Sequence, residues 1–381
     1  MILNGKIKYF FLLVFLLNCD EKNPHSFDKG ISPIFADRMQ AQSKDCKTCH
    51  KEIYSDWEQS RHRVAFSNPL YKESHAREPL QWCENCHSPL VELGGDPDNA
   101  EHRLNPEDGV SCIVCHLRED KILVPKLPRK ISEHKYRIAK GMDRSEFCGN
   151  CHQFNFPVGN GRVAHSQLKF SDMPMQNTYE DWSQSYFADR ETCQDCHMAA
   201  EEGRKSHKFP GGHNKDYLRK SINFDFVKIF PKNESSQNRE PNQEMRTSVD
   251  SDRTGIQIAI TGHSIGHGFP TGDLFRRIVI RFLNEKNQEI SRTELAYEYA
   301  PNPAFPKDPS VSYKILAKKN IIPYPILSPD SKFITFLDIS VNQLKLIKKW
   351  EVSMQYISDQ NRIGSNLKED EIRMIFDSGE I

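Results

Sequence analysis

Ten of the 11 cysteines in this chain fall into five copies of one pattern, Cys-x-x-Cys-His, and that repetition constrains the fold more than any other feature. The copies run Cys46–His50, Cys83–His87, Cys112–His116, Cys148–His152 and Cys193–His197. Two thiols three positions apart can both reach the vinyl groups of one porphyrin as thioethers. The histidine that follows then lies under the ring and offers a nitrogen to the iron. At this cysteine and histidine content, chance supplies about one-hundredth of a match per chain, so five copies are no accident of composition. Zinc ribbons, disulfide frameworks and thioredoxin-like redox pairs also use Cys-x-x-Cys, but none requires histidine after the second cysteine every time. The sequence therefore predicts five covalently bound haem c groups. They are attached at Cys46, Cys49, Cys83, Cys86, Cys112, Cys115, Cys148, Cys151, Cys193 and Cys196, with His50, His87, His116, His152 and His197 as iron ligands.

All five copies lie within 44–215, roughly 35 residues per haem, with few long apolar runs between them. That is too little side-chain core to fold alone, so the porphyrins must supply the apolar interior and short helices and loops wrap around them. The apoprotein is accordingly expected to be largely unfolded. From about Arg246 the pattern changes: residues 255–260, 277–282, 333–337 and 350–356 alternate with period two, and Asn284–Gln288 sits between two such runs as a hairpin turn would. The expected architecture is multidomain, a haem-packed, mainly short-helix and loop cytochrome domain over 44–215 followed by an all-β, sandwich-like domain over 246–381. The charged, Asn/Gln-rich stretch 216–245 is read as the linker between them.

The remaining cysteine, Cys19, belongs to a different segment. Residues 1–18 carry Lys6 and Lys8 and then an apolar run too short to span a bilayer comfortably, which reads as a signal peptide. Leu16-Leu17-Asn18-Cys19 resembles a lipobox, with Asn18 departing from the usual small residue, and makes Cys19 a candidate for lipidation; the polar run 19–43 would then be a linker from a membrane surface. Ordinary cleavage nearby, or an uncleaved N-terminal anchor, are the other readings. Export suits haem attachment, which takes place outside the cytoplasmic membrane, and accounts for an odd cysteine count without a disulfide. Acidic and basic residues balance at 52 each, so nothing in the charge points to nucleic acid.

Low-spin electron-transfer haems need a second axial ligand. Beyond the five motif histidines there are His25, His62, His75, His102, His134, His165, His207, His213, His263 and His267. His62 stands out after Trp57 in a helical context. His207 and His213 flank Lys208-Phe209-Pro210-Gly211-Gly212, and His267 lies in the glycine-rich Gly266-His267-Gly268-Phe269-Pro270-Thr271-Gly272; such loops allow the backbone to approach a flat cofactor closely. One repeat lies outside the motifs: Tyr-x-Asp-Trp-x-Gln-Ser at 54–60 and again at 179–185. The first copy leads to His62 and the second to Phe187, so only the first can give an iron ligand.

These residues resemble the multihaem cytochromes of the cytochrome c554 type, a superfamily that also contains hydroxylamine oxidoreductase and octahaem tetrathionate reductase. The resemblance rests on Cys46–His50 with Trp57-x-x-Ser60-x-His62, Gly109-Val110-Ser111 before the third motif, Phe147–Phe154, Met175–Trp182 leading to Cys193–Met198, and His207–His213. It covers roughly 44–290 and implies a distal ligand role for His62 and, from its place upstream of the fourth motif, for His134. The loop at His267 with Arg276-Arg277 is similar to that of cytochromes that append a β-domain. Five motifs match neither the four of cytochrome c554 nor the eight of the enzymes, and no Cys-x-x-Cys-Lys is present.

The expected function is electron transfer in the periplasm or cell envelope, between a quinol-linked donor and a terminal acceptor or reductase, with the membrane reached through the N-terminal lipid. The alternative is an oxidoreductase acting on a small nitrogen or sulfur oxyanion at one five-coordinate haem, with Arg118 or Arg144 near the anion. A third reading makes the β-domain a docking module.

Overall fold

The computed structural model describes residues 42–77, 81–89, 106–118, 121–128, 134–158, 169–231, 253–273, 275–301, 313–318 and 328–381. Cys19, His25, His102, His165 and the predicted signal peptide lie outside the described residues.

The N-terminal part is built from short pieces. Helices α1 (Ser43–Lys47), α2 (Lys51–Glu58), α3 (Pro69–Arg77), α4 (Glu84–His87) and α5 (Cys112–His116) come first. Strands β1 (Leu117–Arg118), β2 (Lys121–Val124) and β3 (Tyr136–Ile138) follow, then α6 (Ser145–His152), the hairpin β4 (Gln153–Val158) and β5 (Lys169–Asn177), α7 (Thr178–Ser183), α8 (Cys193–His197), and the two-residue strands β6 (Ala200–Glu201) and β7 (Arg204–Lys205). Helices of four to nine residues are below the length at which a helix is stable in isolation, so each must be held by what it packs against.

The C-terminal part is a sandwich. Helix α9 (Lys215–Ser221) leads into β8 (Ile222–Ile229), followed by β9 (Gly255–Gly262), β10 (Arg277–Leu283), β11 (Glu289–Leu295), β12 (Tyr297–Pro301), β13 (Tyr313–Lys318) and β14 (Lys332–Asp338). Helix α10 (Val341–Leu346), β15 (Lys349–Gln355), α11 (Asp359–Arg362), α12 (Glu369–Ile372) and β16 (Arg373–Glu380) complete it. One antiparallel sheet has the order β11-β10-β15-β16, another β14-β9-β8, and β12 pairs with β13. The expected hairpin is present: Asn284 N–H donates to the Gln288 carbonyl, and Asn287 takes the left-handed conformation such a turn needs.

Between the two sheets lie Phe224, Ile256, Ile258, Ile260, Ile278, Ile280, Phe282, Val352, Met354 and Phe376, all buried in one cluster. Of the buried members of that cluster, only Phe187 precedes residue 218. The apolar core of side chains thus sits in the sandwich.

One boundary differs from expectation. The stretch read as a linker from residue 216 begins with α9 and β8, and β8 pairs along its whole length with β9, from Ile222 opposite Gly262 to Ile229 opposite Gly255. Its Ile-x-Phe-x-Phe alternation is a strand signal that the surrounding charge obscured.

Candidate haem centres

Each Cys-x-x-Cys-His coincides with a single helical turn: α1 and the residues after it, α4 with Cys83 at its N-cap, α5, the end of α6, and α8. In a helix, positions i, i+3 and i+4 share one face, so this geometry aims both thiols and the imidazole to the same side. The motifs also touch one another. Cys46 and Cys112 are within hydrogen-bonding range, as are Cys148 and Cys193, and Cys86 and Cys151, and α1 packs on α5 as α6 packs on α8. The first motif therefore joins the third, the fourth joins the fifth, and the second joins the fourth.

Four motif histidines face a second histidine at one distance. Ring centres are 6.2 Å apart for His50 and His134, 6.3 Å for His62 and His152, 6.2 Å for His116 and His207, and 6.2 Å for His197 and His267. The interplanar angles range from 10° to 48°. A metal–imidazole bond is roughly 2.0 Å and a ring nitrogen lies about 1.1 Å from its ring centre, so two imidazoles on opposite sides of one iron stand about 6.2 Å apart. Rotation about that axis leaves the distance unchanged, which is the observed combination of constant spacing and variable angle.

Hydrogen bonds set the tautomers. His87 donates its Nδ1–H to the Ala65 carbonyl at 2.8 Å, His197 to Pro210 at 2.7 Å, His207 to Lys205 at 3.0 Å, His267 to Gly268 at 3.0 Å and His116 to Leu123 at 3.3 Å. With Nδ1–H committed, Nε2 keeps the lone pair a metal needs. Burial pushes His62 down to about 4 and His152 to about 3, with nearby histidines adding to the effect, and burial also lowers His87, His197, His207 and His267. All are held in the neutral, ligating form near neutral pH. His152 is surrounded by protein yet exposes much of its ring, as expected of a side chain lining an internal cleft. The residues present fit haem groups held between paired imidazoles.

Residues outside the motifs support these pairs in a duplicated way. Trp57 donates its indole N–H to the Val110 carbonyl at 2.8 Å, two residues before Cys112; Trp182 donates to the Glu191 carbonyl at 3.0 Å, two residues before Cys193. Ser43 and Ser145, each three residues before a first motif cysteine, are both 1% exposed, and Ser145 Oγ accepts from the Cys193 N–H. Burial works to raise the Asp56 carboxyl, but the Arg204 guanidinium at 2.5 Å and the His207 backbone N–H at 3.2 Å outweigh it and hold it below the usual range. Asp56 thereby fixes the loop that presents His207. None of these roles was assigned from sequence, although the Tyr-x-Asp-Trp-x-Gln-Ser repeat carried the signal. Its second copy ends differently: Phe187 joins the sandwich core where the first copy supplies His62.

His213 is placed differently from the other candidate ligands. It is not brought opposite any motif histidine; its ring stacks on Tyr356 of the segment after β15 at 3.9 Å. Among the described residues no histidine faces His87 at the common spacing either. Tyr71 stacks on His87 at 4.1 Å, and His75 lies 5.3 Å beyond on the same helix. His263 pairs with Asp330 at 3.1 Å and stands apart from the motifs.

Residues 45–117, which carry the first three motifs, match the family model described as cytochrome c554 and c-prime. No curated protein matches the chain. In fold the chain is similar to a penta-heme cytochrome c552 from Thermochromatium tepidum, with a TM-score of 0.62 at 17% identity over 90% of this chain and 99% of that one. The family model over residues 45–117, the structural likeness and the paired imidazoles agree: the chain has the fold of a multihaem cytochrome, with a haem-binding N-terminal part and a C-terminal region of antiparallel sheets.

Proposed function

We propose that the chain is an exported electron carrier that binds five haem c groups, one at each motif, and passes electrons between a quinol-linked donor and a terminal acceptor or reductase. The observation that carries this reading is the constant 6.2–6.3 Å spacing of four histidine pairs. In this reading His134, His62, His207 and His267 are the distal ligands to the irons of His50, His152, His116 and His197. The haems supply the redox-active iron. At the four paired sites the two histidines would hold it from both sides, which would shut out substrates and limit reorganisation on electron transfer. The three motif-to-motif contacts, together with His62 reaching from the turn beside Val110 to His152, support a continuous relay. Lipidation at Cys19 would tether this relay to a membrane; no helix among the described residues is long and apolar enough to cross one.

The natively matured protein tests the proposal. Its mass should exceed that of the processed polypeptide by five haems, and electron paramagnetic resonance should show four low-spin bis-histidine ferric signals. Fewer haems, or predominantly high-spin iron, would overturn it.

A specific observation favours a second reading at the remaining motif. The Tyr71 hydroxyl and His75 Nε2 are buried beside His87 with no hydrogen-bond partner. Two unpartnered polar groups beside the motif imidazole that lacks a facing histidine are the kind of hydrogen-bond and proton donors that reduction of a small nitrogen or sulfur oxyanion would use. Carbon monoxide binding to one haem in the reduced protein would support it; a fully low-spin protein would exclude it.

A further inference from the structure

Arg61, His213 and Arg276 come from three distant stretches and meet in one recess between the haem-bearing part and the sandwich. Arg61 precedes His62, His213 precedes α9, and Arg276 precedes β10. The Arg276 guanidinium is clamped by two glycine backbones: a Cβ at Gly272, whose φ is +101°, would come within 2.7 Å of Nη1, and one at Gly212 within 3.4 Å. Nη1 donates to the Thr271 carbonyl at 2.9 Å, whereas Nε is buried with no partner. His213 lies flat on Tyr356, whose hydroxyl donates to the Gly212 carbonyl at 3.0 Å.

The charge in this recess is unbalanced. Burial, with the charges of Arg276 and Arg61 adding to it, pushes His213 down to about 2, so its ring is neutral and the positive charge belongs to the two arginines. Asp273 is the acidic group that acts on Arg276, but its Oδ1 already accepts from the Phe275 N–H at 2.8 Å. Part of Arg61 and Asp273 remains exposed, so the recess has an open side. A guanidinium with a buried, unpartnered N–H beside a second guanidinium calls for an anion, and its planar fork suits a carboxylate. The recess also adjoins a haem centre: Arg61 immediately precedes His62, whose ring lies 6.3 Å from that of His152.

We propose that Arg61 and Arg276 form an anion seat for the carboxylates of the haem held between His62 and His152, through which the β-sandwich sets the potential of that haem. The proposal rests on the ligand assignment made above for His62 and His152. Both arginines are positioning residues. Their positive charge disfavours the ferric state, so removing it makes that haem harder to reduce.

Redox titration of the matured full-length protein, followed by visible and paramagnetic resonance spectra, tests this. R276Q and R61Q should each lower the midpoint potential of one bis-histidine haem and leave the others unchanged, with full haem mass retained; R276K should keep most of the wild-type value. Unchanged potentials in haem-replete R276Q and R61Q would overturn the proposal, and R61Q, at the open edge of the recess, serves if R276Q does not mature. A free oxyanion is the rival occupant. If nitrite or sulfite perturbs the wild-type spectrum, and R276Q abolishes that response without moving any potential, the seat takes a free anion and the proposal fails. Absence of haem from the Cys148–Cys151 peptide would instead break the ligand assignment on which the proposal stands.

Discussion

At the scale of single residues, the chain separates two tasks that a haem site combines, capture and ligation. In the proposed reading capture is local, because two thiols and an imidazole occupy one helical turn, and that shared turn was legible from spacing alone. Ligation by the second histidine is not local. His267 reaches His197 from the β9–β10 loop, so His267→Ala should leave the haem mass intact, since Cys193 and Cys196 still form thioethers, while converting one low-spin signal to high spin. A variant in which all signals persist would sink that pairing. Close approach imposes a second constraint. Gly109 has a φ of +57°, and a Cβ there would lie 2.4 Å from the His62 carbonyl, which accepts from the Val110 N–H. Gly109→Ala should therefore cost about 1–3 kcal/mol in a denaturation series and disturb the haem that His62 serves. His213 shows how little a local pattern says about a side chain's partner. Its loop looked like a ligand-bearing turn, but its partner Tyr356 comes from a distant segment that no local pattern announces.

At the scale of elements, the question is what holds turns too short to be stable alone. The two tryptophan hydrogen bonds answer it, each tying a helix of the repeat to the residue two before the first cysteine of a motif. A net gain of about 1 kcal/mol per hydrogen bond is typical, and lost ring packing adds to the cost of removing one. Trp57→Phe and Trp182→Phe should thus each lower holoprotein stability by about 1–2 kcal/mol with haem content unchanged, as read by denaturant midpoints at constant slope. Equal losses in the two variants would support a duplicated unit, and no loss in either would remove these ties from the account. Among the strands, β9, β10, β14 and β15 were legible because their period-two pattern is uninterrupted, whereas β8 was hidden by the charge on either side of it. The pairing of β11-β10-β15-β16 into one sheet and β14-β9-β8 into the other was not legible, because register depends on contacts far apart in the chain.

At the scale of the whole molecule, the haem-bearing part and the sandwich are interdependent rather than serial. The buried side-chain core lies in the sandwich, yet it includes Phe187 from between the fourth and fifth motifs; conversely, the sandwich sends His267 back to His197 and Arg276 against Gly212. A detachable docking module would show neither exchange. Deleting residues 246–381 removes β9, the partner of β8 along its full length, and with it His267, so it should expose the apolar face that Phe224 and Ile222 now bury. The expected result is a low yield of haem-stained protein and, in what does mature, loss of at least one bis-histidine signal. Recovery of the truncated chain with its spectrum unchanged and only its partner binding lost would establish the sandwich as a separate docking domain and would remove His267 from the iron of His197.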